Sequence, residues 1–152
     1  MVIAGVIILI GLAVTVASLA WLHARRTGFS WVRNAVSEYG ITPFRSGYRV
    51  ATIAFGVAGL ALAIGIDRAI TGHGNAGVVA LLVVFAAARG AISWFPMDAP
   101  AAPRTSTGVI HVLLASVAFL SIAGAAIWLG DILPNVTRCT LSTWRRQCSG
   151  MR

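Results

Sequence analysis

Four long apolar runs separated by three polar connections set the pattern of this chain. Residues 1–22 are almost unbroken in hydrophobicity, and a helix of that length extends about 33 Å, enough to cross a hydrocarbon core. The same pattern returns further on, predicting membrane-spanning helices near residues 1–24, 49–67, 77–95 and 108–130. The predicted fold is all-α: a polytopic transmembrane helix bundle with four spans over residues 1–133, followed by a polar, unstructured tail over residues 134–152. A secretory signal is the rival reading of the first run, since Ser18-Leu19-Ala20 resembles a cleavage site. Against it, the run is too long and lacks a positively charged start.

The polar positions mark the ends of the spans. Trp21 and His23, followed by Arg25 and Arg26, form an interfacial exit from the first helix. On the second, Ala54, Ala58, Ala61 and Gly65 recur at three- and four-residue spacing, a small-residue stripe for close helix contact. Asp67 and Arg68 end that helix, and Gly72 and Gly74 turn the chain back. Between the third and fourth spans, Pro96, Pro100 and Pro103 forbid a continuous helix. The Thr105-Ser106-Thr107 cluster supplies a hydroxyl to cap the fourth helix. On that helix His111, Ala115, Ala118, Ile122 and Ala125 share one face, which points into the bundle.

Composition agrees with this pattern: 58% of residues are hydrophobic and the mean hydropathy is +0.85, beyond what the core of a soluble domain needs. Twelve basic against four acidic residues give a formal charge of +8, and every basic residue is Arg. Nucleic-acid binding needs a basic groove on a soluble surface, whereas these arginines sit mostly between apolar runs, so no nucleic acid is expected. Anionic membrane lipid is the natural partner, with a second copy of the chain or another membrane protein as further candidates. Cys139 and Cys148 both fall in the tail, where a disulfide and two free thiols are equal alternatives. Asn135-Val136-Thr137 matches a glycosylation acceptor, but so short a motif is read as chance. No phosphate-binding glycine loop, nucleophile elbow or other cofactor signature is present, and no cofactor is expected.

Candidate chemistry gathers at one end of the bundle, because four spans put the first and third connections on the same side of the membrane. Glu38, Arg49, Asp98 and His111 meet there, with Arg89 about 9 Å below the end of its helix. Charge at the bilayer centre costs about 2.5 kcal/mol or more, so Arg89 must climb to the surface or find a partner. One reading has Arg89 reaching lipid phosphate, Asp98 capping a turn or pairing with an arginine, and His111 bonded to a neighbouring helix. The other is a pocket in which Arg89 binds phosphate or carboxylate while His111 and a carboxylate handle a proton or hold a metal. Asp98 returns to the surface three residues after Phe95, so an Arg89–Asp98 pair is expected, with His111 beside it. One His with scattered acids lacks metal-ligand spacing, and no metal is expected. Ser37 with His111 as nucleophile and base has no local motif behind it.

Two of these motifs carry a family resemblance. The stretch Asn34-Ala35-Val36-Ser37-Glu38-Tyr39-Gly40 resembles an Asn-Pro-Val-Ser-Asp-Tyr-type loop. Phe95-Pro96-Met97-Asp98 and Thr107-Gly108-Val109-Ile110-His111 are similar to Phe-Pro-x-Asp and Gly-x-Ile-His elements. Both belong to a bacterial integral membrane family known as domain of unknown function 998, and the resemblance covers about residues 22–129. It implies a multi-pass protein of the bacterial cell membrane and names no activity. Ala35 stands where the family often has Pro, and Glu38 where it often has Asp. Members usually continue with further hydrophobic spans where this chain has its Arg- and Cys-bearing tail, which implies a truncated or frame-shifted copy.

Three function classes follow, in this order: a structural or accessory membrane protein; a component that binds or transports a small anion or lipid headgroup at the polar face; and a membrane enzyme using His111 and a carboxylate. Counting arginines sets Arg25, Arg26, Arg33, Arg45, Arg49 and Arg104 on one side against Arg68, Arg138, Arg145, Arg146 and Arg152 on the other. The lean places the first and third connections in the cytoplasm and both termini outside.

Overall fold

A computed structural model describes residues 2–30, 32–70 and 75–149, with side chains described as far as residue 133. Its helices are α1 (Val2–His23), α2 (Arg45–Ala69), α3 (Ala76–Ala91) and α4 (Ser106–Ser149). Two short 3-10 helices, Val36–Ile41 in the first connection and Ile92–Trp94 at the end of α3, complete the order, and no strand occurs among the described residues. Each of the four predicted spans is a helix long and apolar enough to cross a membrane, the third counted through Trp94 and the fourth through Leu133. The expected turn at residues 71–74 lies outside the described residues. So do the side chains of Asn135, Cys139 and Cys148, and with them any disulfide or glycan.

Neighbours in sequence are neighbours in space, with α1 against α2, α2 against α3 and α3 against α4. α2 and α3 each pack against two neighbours, and α2 presents two small-residue faces. Toward α1, the predicted stripe receives Gly11, where a Cβ would lie 2.9 Å from the Ala54 carbonyl oxygen and 3.0 Å from the Ala58 Cβ. The Thr15 hydroxyl, 2.8 Å from the Gly11 carbonyl, also reaches across to the Ala51 carbonyl at 3.3 Å. Toward α3, Gly56 and Gly59 do the same: a Cβ on Gly56 would lie 3.0 Å from the Ala86 carbonyl oxygen, and one on Gly59 2.6 Å from the Phe85 ring. Such backbone contact is how helices associate where lipid removes the hydrophobic drive to do so.

α1 buries only Gly11 and Leu22, and most of its other large side chains are exposed, as a lipid-facing helix requires, while Leu19 packs against Leu22, Tyr39 and Tyr48. On the predicted inward face of α4, His111, Ala118 and Ala125 are buried and Ala115 and Ile122 half-buried, with Ser121 buried beside them. Two boundaries differ from the sequence reading. α2 begins at Arg45 rather than near residue 49, because the helix continues through polar residues beyond the hydrocarbon. The backbone of α4 stays helical to Ser149, past residue 133, where the sequence places the start of an unstructured tail.

Candidate functional site

The first connection is organised by its one glutamate. Glu38 is buried; its Oε1 accepts the Ala35 backbone N–H at 2.9 Å and its Oε2 accepts the Asn34 side-chain amide at 2.8 Å. Asn34 in turn accepts the Ser30 N–H at 2.8 Å. The carboxylate thus closes the loop on itself, as a capping-box acid does at a helix start. Next to it, the buried Tyr39 hydroxyl lies 2.6 Å from His23 Nδ1, tying the connection to the end of α1.

The third connection is organised by Asp98. Its carboxylate accepts the Thr105 hydroxyl at 2.6 Å and the Thr105 backbone N–H at 3.1 Å. Thr105 caps α4 in its own right, its hydroxyl oxygen accepting the Gly108 N–H at 3.1 Å. A Cβ on Gly108 would overlap the Asp98 carboxylate, so the side chain needs a glycine beneath it. The two Thr105 hydrogen bonds, with the nearby Arg104 charge, hold the Asp98 carboxyl below the usual carboxylate range. A lowered folded-state pKa stabilises the fold above the unfolded value of about 3.9, and that contribution is lost as the pH falls through the folded value. The contribution of this group to melting in detergent is therefore expected to be constant with pH near neutrality and to fall away below pH of about 3.9. Comparison with Asp98→Asn isolates the effect; the variant should lack that part of the acid fall.

His111, on the next turn of α4, is buried with Nδ1 2.7 Å from the Phe95 carbonyl oxygen. A carbonyl only accepts, so Nδ1 carries the proton and donates. The ring fastens α4 to the end of α3.

The arginines occupy a different place, the seam between α2 and α3. Gly59 against Phe85 and Gly56 against Ala86 fix an antiparallel register. That register brings Arg49 of α2 level with Trp94, and the guanidinium carbon lies 5.0 Å from the Trp94 ring centre. Arg89 starts about 6 Å deeper than Ser93 by helical rise. Its guanidinium carbon lies 5.4 Å from the centre of the Phe55 ring. Arg49 Nε, Arg89 Nε and Ser93 Oγ are all buried without a hydrogen-bond partner.

Of the five residues singled out by sequence, Arg49 and Arg89 thus line one seam, while Glu38, Asp98 and His111 each hold a connection or a helix end. The expected Arg89–Asp98 pair does not form: Asp98 is taken by Thr105, and the cation acting on it is Arg104. Among the described residues no group of three or more His, Cys, Asp or Glu side chains comes together as a metal site requires. Ser93, Trp94 and Phe55 escaped sequence reasoning, since each gains its role from the α2–α3 register.

The family model described as a protein of unknown function, DUF998, matches residues 9–151. The chain belongs to the DUF998 family. The match includes the connections that carry the Asn34–Glu38 clamp and the Asp98–Gly108 cap, and it continues through residues 134–151. No curated protein and no solved structure matches this DUF998 chain.

Proposed function

We propose that this DUF998 protein binds an oxyanion, the phosphate of a lipid headgroup or a small free phosphate or carboxylate, in the α2–α3 seam at the level of Arg49, Arg89 and Ser93, within the cell membrane. The observation that supports this reading is the set of three buried polar atoms without partners, two of them on guanidinium groups. A buried donor left unsatisfied costs about 1–3 kcal/mol, and an ionisable side chain at membrane depth marks a functional site by default. The Trp94 ring centre lies 5.0 Å from the Arg49 guanidinium carbon and the Phe55 ring centre 5.4 Å from that of Arg89, so an aromatic ring neighbours each guanidinium. The guanidinium N–H edge remains for a planar or tetrahedral oxyanion. Neither Glu38 nor Asp98 competes for that edge, since each is engaged by local donors.

Native mass spectrometry of the protein released from mild detergent tests this. Wild type is expected to retain a phosphate-bearing lipid, or to gain inorganic phosphate when it is added. Arg49→Ala and Arg89→Ala should each lower occupancy by about tenfold or more, the equivalent of losing one charge-assisted hydrogen bond. Arg26→Ala, at an exposed position outside the seam, should not. Equal occupancy in all four proteins would count against the site.

A further inference from the structure

On the lipid-facing side of the same seam runs an open groove of about 300 Å³, with Ile53, Val57, Leu60 and Val83 as walls and Gly56 and Gly90 in its floor. The floor is backbone: a Cβ on Gly56 would lie 3.0 Å from the Ala86 carbonyl oxygen and 3.4 Å from the Gly90 nitrogen. A Cβ on Gly90, by contrast, would meet nothing within 4 Å. From Val83 to Trp94 the groove and its mouth extend about 16 Å along α3, close to half the thickness of a hydrocarbon core. One turn beyond Ile53 stands Arg49, and one turn beyond Gly90 stand Ser93 and Trp94. The apolar groove therefore runs from mid-membrane toward the level of Arg49, Ser93 and Trp94.

We infer that the occupant is an anionic phospholipid, with one acyl chain in the Gly56–Gly90 groove and its phosphate at Arg49, Arg89 and Ser93. This rests on the oxyanion reading above and names the ligand class of that site. A small soluble anion would use the guanidinium layer alone and leave a chain-length apolar groove without purpose. Charge argues for an anionic rather than a zwitterionic lipid, because no carboxylate lines the groove to receive an ammonium group. The Trp94 ring, half-exposed beside Arg49, stands where aromatic side chains meet headgroups.

Gly90→Leu separates the two claims, because its Cβ would meet nothing within 4 Å and leucine favours the helix over glycine. The full chain in detergent is titrated with phosphatidylglycerol, phosphatidylcholine and soluble glycerol phosphate. Wild type should prefer phosphatidylglycerol over phosphatidylcholine. Gly90→Leu should weaken phosphatidylglycerol binding about tenfold or more, with glycerol phosphate binding unchanged and no loss of melting temperature. Ala87→Phe, at an exposed position in the same groove, should repeat the loss, and serves alone if Gly90→Leu does not fold. If both groove variants bind phosphatidylglycerol as wild type does while Arg49→Ala does not, the chain assignment fails and the oxyanion site stands. Equal binding of phosphatidylcholine by wild type overturns the anionic assignment. If Arg49→Ala and Arg89→Ala change nothing, the oxyanion reading fails, and this inference with it.

Discussion

Exchanging Gly56 for leucine is expected to drive α2 away from α3 and to cost about 3 kcal/mol, the upper part of the usual overpacking range. The neighbours that a new side chain meets there are the Ala86 carbonyl oxygen and the Gly90 nitrogen, and backbone cannot rotate aside as a side chain can. Gly56→Ala adds only one carbon and should cost less; Gly56→Val should fall between. Reversible unfolding in mixed detergent, followed by circular dichroism, reads the series. The same substitutions at Gly65, whose nearest neighbour is the Ala4 Cβ at an ordinary 3.7 Å, should be far milder. A flat series at Gly56 would mean that the two helices are not in backbone contact.

Glu38→Ala should release the first connection. The change removes the acceptor for the Ala35 N–H and for the Asn34 amide, which both bond to a buried carboxylate. Hydrogen bonds to charged groups contribute about 1.5–3 kcal/mol each, so two of them dominate the stability of a short loop. Amide exchange at Ala35 is expected to accelerate by about two orders of magnitude, the equivalent of about 3 kcal/mol, and proteolysis at Arg33 to become rapid, while exchange within α3 and α4 stays slow. Glu38→Gln retains one acceptor oxygen and should give a smaller change. Protection of Ala35 that survives Glu38→Ala would remove the carboxylate from this role.

Much of the fold was legible in the sequence, because an apolar run of some twenty residues has few alternatives in which its backbone is satisfied. The Ala54–Gly65 stripe was legible too, and it is the face that meets α1. The second face of α2 was not, since Gly56 and Gly59 lie among the alanines of the first and only the packing tells the two apart. At the polar end, spacing suggested that Asp98 would seek Arg89. The carboxylate instead takes donors seven residues away, the Thr105 N–H and hydroxyl. A fixed pair of local donors at a helix start costs less to organise than a long guanidinium side chain climbing from inside the membrane. An Asp followed by Thr and then Gly ahead of an apolar run was the available signal for that cap. The placement of Arg49 beside Trp94 had none, for it depends on residues 45 positions apart brought level by the α2–α3 register.

The most direct test of the oxyanion site is the distance between lipid phosphorus and arginine nitrogen in the membrane. Nitrogen-15-labelled protein in phosphatidylglycerol bilayers, measured by solid-state nitrogen–phosphorus dipolar recoupling, reports that contact, with Arg49→Lys and Arg89→Lys supplying the Nε assignments. Strong dephasing is expected at the Nε of both Arg49 and Arg89, retained after washing with phosphatidylcholine. Absence of dephasing at both, with the other arginines responding as surface groups do, would contradict the oxyanion site.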